Sequence, residues 1–228
     1  MNLPVSEVKA APSATARTTF AALWRPALVQ AWLDNGDRHS TPATAQTPLT
    51  LSPPILRVEP HQQQALRLRY SGEPLPTDRE SIFWLNVLEV PPRSANAAQN
   101  NKIQLSFRTR LRVFFRPQAL PYPVGSAPSK LQWKLIAHEQ GFAVQATNPT
   151  PYHISLASVE LVSEGTQFSK APNKTANDSL MLPAGDVKLF VLPQLRNRPS
   201  DAARIEFTTV SDFGARVRHS AALTYSAG

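Results

Sequence analysis

The side chains with usable chemistry crowd into one stretch, residues 103–116. Arg108, Arg110 and Arg112 recur at every second position, and Arg116 follows. Ile103, Leu105, Phe107, Thr109, Leu111, Val113 and Phe115 take the positions between and around them. Alternation of period two over this length predicts a long strand with one apolar and one cationic face. The cationic face suits anionic partners, and a strand whose backbone groups lack a neighbour is a template for another chain. The chemistry on offer is therefore binding through a strand.

Covalent chemistry has no foothold. The chain holds no Gly-x-Ser-x-Gly, no His-Glu-x-x-His, no Walker loop and no dinucleotide glycine fingerprint. His39, His61, His138, His153 and His219 stand singly, mostly in turns, and only 8 glycines leave little scope for a phosphate-cradling loop. Absence of cysteine excludes disulfides, thiol catalysis and thiolate metal sites. Asp34-Asn-Gly-Asp37 is a turn signal without the ligand spacing or distal glutamate of a calcium loop. No enzyme, no cofactor and no metal are expected.

The formal charge of +8 and pI of about 10.2 suit nucleic acid, an anionic membrane surface or an acidic protein. Outside residues 108–116 the cations are scattered, with no basic low-complexity tail. No window reaches the apolar length of a membrane span. Residues 1–24 show no charged start, apolar core and small-residue cleavage site of a secretory leader.

The elements around the basic strand read as all-β. Against those 8 glycines stand 22 prolines, and short apolar runs argue for many short strands. Residues 27–33, 65–70 and 82–88 are strands of the first half, with Pro53-Pro54 interrupting the segment between the first two and Pro91-Pro92 closing the third. Residues 93–102 form a polar loop. A proline-rich stretch ends the half, giving an N-terminal domain over 1–118, a linker over 119–128 and a C-terminal domain over 129–228. The second half predicts strands at 131–136, 142–147, 154–159, 187–192, 205–210 and 221–225, the rhythm of an antiparallel sandwich.

Several ordered motifs carry a resemblance. Glu80-Ser-Ile-Phe-Trp-Leu-Asn-Val-Leu-Glu-Val-Pro-Pro92 and Arg110-Leu-Arg-Val-Phe-Phe-Arg-Pro117 resemble the signature of the periplasmic PapD-like chaperones of the chaperone–usher pilus pathway. Pro26-Ala-Leu-Val-Gln-Ala-Trp-Leu-Asp34, Thr50-Leu-Ser-Pro-Pro-Ile-Leu-Arg-Val-Glu-Pro60, Asn148-Pro-Thr-Pro-Tyr152 and Ser211-Asp-Phe-Gly214 extend it. The resemblance implies two immunoglobulin-like β-sandwich domains arranged at an angle, a periplasmic location and a secretory leader.

It also implies roles. Ile103, Leu105 and Phe107 would fill the gap in an incomplete pilus-subunit sandwich, each burying about 1.5–3 kcal/mol of apolar side chain. Arg112 matches the family's lysine that holds the subunit's terminal carboxylate, and Lys9 is a weak match for its first-strand arginine. Because Arg112 lies on the face opposite Leu105 and Phe107, a bulge near residues 108–110 is expected to bring both to one ligand. Glu80, Arg116 and Asp212 match a structural salt-bridge set between domains. The short loop before residue 103 and the lack of cysteine resemble the branch serving rod-like pili. Implied partners are pilus subunits and an outer-membrane usher, with a self-capping homodimer left open and neither nucleic acid nor a small-molecule substrate expected. The competing readings are a basic nucleic-acid-binding β module, which requires aromatics interleaved with the arginines on one exposed face, and a hydrolase or lectin on a sandwich scaffold.

Overall fold

The computed structural model describes residues 8–10, 16–21, 26–90, 105–169 and 180–225. It divides into two compact units, residues 1–77 with 81–118, and residues 78–80 with 119–228. Each is an antiparallel-rich sandwich of the immunoglobulin type. Among the described residues no helix is long and apolar enough to cross a membrane.

The first unit contains β1 (Val8–Ala10), β2 (Ala16–Ala21), β3 (Ala27–Asp34), β4 (Leu49–Ser52), β5 (Ile55–Val58), β6 (Gln63–Tyr70), β7 (Ser81–Val90) and β8 (Phe107–Phe115). One sheet runs β1-β8-β7-β3-β5 and the other β2-β6-β4. Alternation explains the packing: Val29, Ala31 and Leu33 of β3, Phe83, Leu85 and Val87 of β7, and Leu111, Val113 and Phe115 of β8 meet Leu66 and Leu68 of β6 in one core. The interruption at Pro53-Pro54 is the point where the chain crosses between sheets, since β4 pairs β6 while β5 pairs β3. A proline pair supplies no ladder donor, which ends one strand before the next begins.

The second unit contains β9 (Gln132–His138), β10 (Gly141–Thr147), β11 (Ile154–Ser163), β12 (Thr166–Ser169), β13 (Met181–Leu182), β14 (Val187–Leu192), β15 (Arg204–Val210), β16 (Arg216–Ala222) and β17 (Thr224–Tyr225). Its sheets run β14-β10-β9-β17 and β12-β11-β15-β16, with β13 added on β11. Trp133 sits between them, 4.9 Å from the Phe207 ring and 6.4 Å from Phe190. The Asn148-Pro-Thr-Pro-Tyr152 motif is a knot. The buried Asn148 amide donates to the carbonyls of Tyr152, Leu182 and Pro183 and accepts from the Thr150 backbone and hydroxyl. The proline-rich segment 119–128 packs here too, with Leu120, Tyr122 and Val124 against the core and Tyr152 donating its hydroxyl to the Tyr122 carbonyl.

The basic strand is shorter than its pattern. It begins at Phe107, and Leu105 and Ser106 precede it outside any strand. Ile103 and the polar loop 93–102 lie outside the described residues. The ladder from Glu89↔Phe107 to Ser81↔Phe115 runs without a register shift, so the bulge expected near residues 108–110 is absent.

Candidate functional site

β8 is bordered unequally. β7 pairs with its whole length, whereas β1 runs parallel along Val113, Phe114 and Phe115 only. Among the described residues, 107–112 have no strand on that second side. Alternate N–H and C=O groups there point away from β7, the arrangement that recruits a further strand.

Its apolar face outruns the core beneath it. Leu111, Val113 and Phe115 are buried in the first unit, Thr109 is half-buried, and Phe107 and Leu105 are each 64% exposed. Large apolar side chains held at an open sheet edge are an aggregation hazard unless a partner covers them. Two of the three expected insertion residues thus stand on the surface at the start of the open edge.

The opposite face is built from cross-strand rows. Gln30, Leu88 and Arg108 make one, Trp32, Asn86 and Arg110 the next, and Asp34, Trp84 and Arg112 the third. Each of the first two arginines leans one row toward Arg112. Arg108 donates through Nε and Nη2 to Asn86 Oδ1 at 3.1 and 2.8 Å and through Nη1 to the Arg38 carbonyl at 3.0 Å, with its guanidinium 4.7 Å from the Trp32 ring. Arg110 donates through Nη2 to Asp34 Oδ1 at 2.6 Å and lies 4.7 Å from the Trp84 ring. Its buried Nε meets no hydrogen-bond acceptor, which fits a guanidinium laid on an indole. Arg112 stands 5.6 Å from the same Trp84 ring.

Asp34, 1% exposed, is the node of this face. Its carboxylate takes Asn86 Nδ2 at 2.6 Å, the Gly36 amide at 2.7 Å, Ser40 Oγ at 2.9 Å and Arg110 Nη2 at 2.6 Å. Burial alone would raise its pKa. The hydrogen bonds from Asn86, Gly36 and Ser40 and the charge of Arg110 outweigh burial and hold the carboxyl below the ordinary value. Aromatics do interleave with these arginines, but Trp32 is buried, and the guanidiniums of Arg108 and Arg110 are committed to Asn86 and Asp34. That is a structural use of cations, unlike the exposed stacking platform of a nucleic-acid groove.

The remaining predicted residues lie on other elements. Lys9 lies in β1, its backbone in register with Phe114. Glu80 is buried, and its Oε2 accepts the His153 amide at 2.8 Å and faces His153 Nδ1 at 3.2 Å, a partner that the motif did not announce. Arg116 follows β8 half-buried, and Asp212 is half-buried in the turn joining β15 to β16. Sequence reasoning missed Asp34 as a functional element because Asp-Asn-Gly reads as a turn; its place at the end of an apolar strand was the available signal. It also missed Trp84, which alternation places on the arginine face of β7.

Relatives share this architecture end to end. Models of the pili and flagellar-assembly chaperone PapD N-terminal domain and of the pili assembly chaperone PapD C-terminal domain match residues 21–121 and 126–221. The probable fimbrial chaperone YadV of Escherichia coli K12 is 35% identical over 87% of this chain and 78% of its own. The chaperone protein FimB/FhaD of Bordetella pertussis is also 35% identical, over 87% and 77%. The crystal structure of the Pseudomonas aeruginosa CupB2 chaperone superposes with a TM-score of 0.74 at 36% identity, covering 96% of this chain and 98% of that one. With both sandwiches matched in order, over residues 21–121 and 126–221, and a relative 35% identical over 87% of this chain, the chain belongs to the PapD family of pili assembly chaperones.

Proposed function

We propose that this chaperone captures pilus subunits by lending them the open edge of β8. A subunit lacking one strand of its own sandwich exposes a groove and an unpaired edge, and would aggregate. Residues 105–112 supply the missing strand: main-chain groups zip to the subunit's edge, and Leu105 and Phe107, with Ile103 before them, enter the groove. Arg112, at the far end of that edge, holds the subunit's terminal carboxylate, for which a planar guanidinium offers two parallel hydrogen bonds. Lys9, carried by the strand that caps the edge, is a second cation for the same anion. The chain does this in the periplasm without catalysis, and passes its cargo to an outer-membrane usher.

The observation that carries this reading is the pair of apolar side chains standing 64% exposed on an edge with no described neighbour. Phe107→Asp and Leu105→Asp each leave thermal stability unchanged, because neither side chain packs in the core, yet abolish co-purification with co-expressed pilus subunits. Retained co-purification would sink the donor-strand role, and a large loss of stability would return both residues to the chaperone's own core.

A further inference from the structure

Two guanidiniums share one indole on the outer face of the first unit. Arg110 approaches the Trp84 ring from the neighbouring row, and Arg112 approaches it from its own. Arg110 is fixed in turn by buried Asp34, whose oxygens already receive Asn86, Gly36 and Ser40. The chain of contacts therefore runs from an immobile carboxylate, through Arg110, to Trp84 and out to Arg112. Arginine has a long, flexible stem, and an indole face offers its planar head a flat seat; tryptophan is the strongest such partner among the aromatic residues. Trp84 is half-buried on a central strand, bonded to β3 and β8, so its backbone cannot shift independently of either.

We propose that Trp84 is a positioning residue for Arg112. Its indole sets the height and direction of the guanidinium at the end of the open edge, and so tunes selection for a strand that ends there in a carboxylate. This inference rests on the anchoring role given to Arg112 above. It assigns that role a second component, a ring that never touches the carboxylate.

The test uses the full chain and a fluorescent synthetic peptide of alternating valine and threonine with a lysine-rich leader, made once with a free terminal carboxylate and once as the amide. Anisotropy titrations give the ratio of the two affinities. The wild-type protein prefers the carboxylate by about tenfold, the scale of one charge-assisted hydrogen bond. Trp84→Met lowers the ratio below about threefold while leaving affinity for the amide unchanged, and Trp84→Phe, which keeps a ring face, restores most of it. A ratio untouched by Trp84→Met but abolished by Arg112→Gln overturns the positioning role alone. A ratio untouched by Arg112→Gln, or no preference in the wild type, overturns the anchor and the inference with it. Should Trp84→Met melt below the assay temperature, the ratio is read on protein carrying 5-fluorotryptophan, whose ring keeps its shape and loses negative charge on its face. An unchanged ratio there also overturns the inference.

Discussion

Asp34→Asn isolates the node that holds the arginine face together. Asp34 is 1% exposed and faces four donors. The amide keeps one oxygen for Gly36 and Arg110, but turns an NH2 toward the Asn86 NH2, and it leaves the Arg110 guanidinium without a counter-ion. Breaking a buried ion pair from one side costs about 3–5 kcal/mol. The Arg110 side chain retains 18% exposure, and Asn86 retains weak contacts to the Trp32 and Trp84 carbonyls at 3.4 Å, so the lower end, about 3 kcal/mol, applies. For a unit of this size that lowers the melting point by roughly 12 °C or more. Urea titration at neutral pH measures the loss. The pH dependence supplies a second signature. The native carboxyl titrates below its unfolded value, so its contribution is complete above about pH 4 and is lost as pH falls through the lower, native pKa. Asp34→Asn therefore flattens the acid limb of the stability curve. Glu59→Gln serves as control, because the Arg57–Glu59 pair is exposed on both sides and is worth less than about 1 kcal/mol. A loss below 1 kcal/mol for Asp34→Asn, or an unaltered acid limb, would refute the argument.

Two further substitutions test the second unit. Gly141 has φ of +125°, and a Cβ there would stand 2.5 Å from the Leu195 carbonyl oxygen, so Gly141→Ala destabilises by more than about 2 kcal/mol in calorimetry. Asn148→Ala strips two buried carbonyls and a half-buried one of the amide donor and the Thr150 amide of its acceptor, a loss of about 3 kcal/mol by chemical unfolding; a change under 1 kcal/mol would mean that water replaces the side chain.

Legibility from sequence followed how local the cause was. The all-β class, the strand at Ala27–Asp34 and the one at Val187–Leu192 are written in period-two patterns and turn residues, and they stand where the patterns put them. The strand expected at 221–225 is instead the end of β16 and the short β17, broken at Leu223: most of β16, Arg216-Val-Arg-His-Ser220, is mainly polar and exposed, and is a strand only because β15 pairs with it. The expected bulge failed for a related reason. A bulge turns side chains from one face to the other, whereas the continuous ladder with β7 fixes both faces at once. The arginine pattern was visible, but its use was not. Whether a guanidinium waits for a ligand or serves a buried carboxylate depends on Asp34, Ser40 and Asn86, brought from 22 to 76 residues away.

The unbroken strand removes the difficulty that the bulge was meant to solve. A strand added beside β8 joins the same sheet, about 4.8 Å away, and meets both faces at every row. Its apolar environment lies toward Leu105 and Phe107 on one face, and its end can meet Arg112 on the other. β1 closes the edge from Val113 onward, with Val8 in the first occupied row. In the proposed complex an incoming strand therefore stops in the row of Arg112, while the exposed Phe107 stands at the opposite end of the six residues that have no second neighbour among those described, about 17 Å away. In the proposed complex the edge works as a ruler. A slip of two residues would keep every face correct but carry the terminus about 7 Å from the cation. The apolar pair alone cannot prevent such a slip, since alternation is preserved, and the cation alone cannot fill a groove. Register requires both ends, which is why Phe107→Asp and Arg112→Gln disable capture by different routes: the first removes the fill, the second leaves the fill and loses the stop.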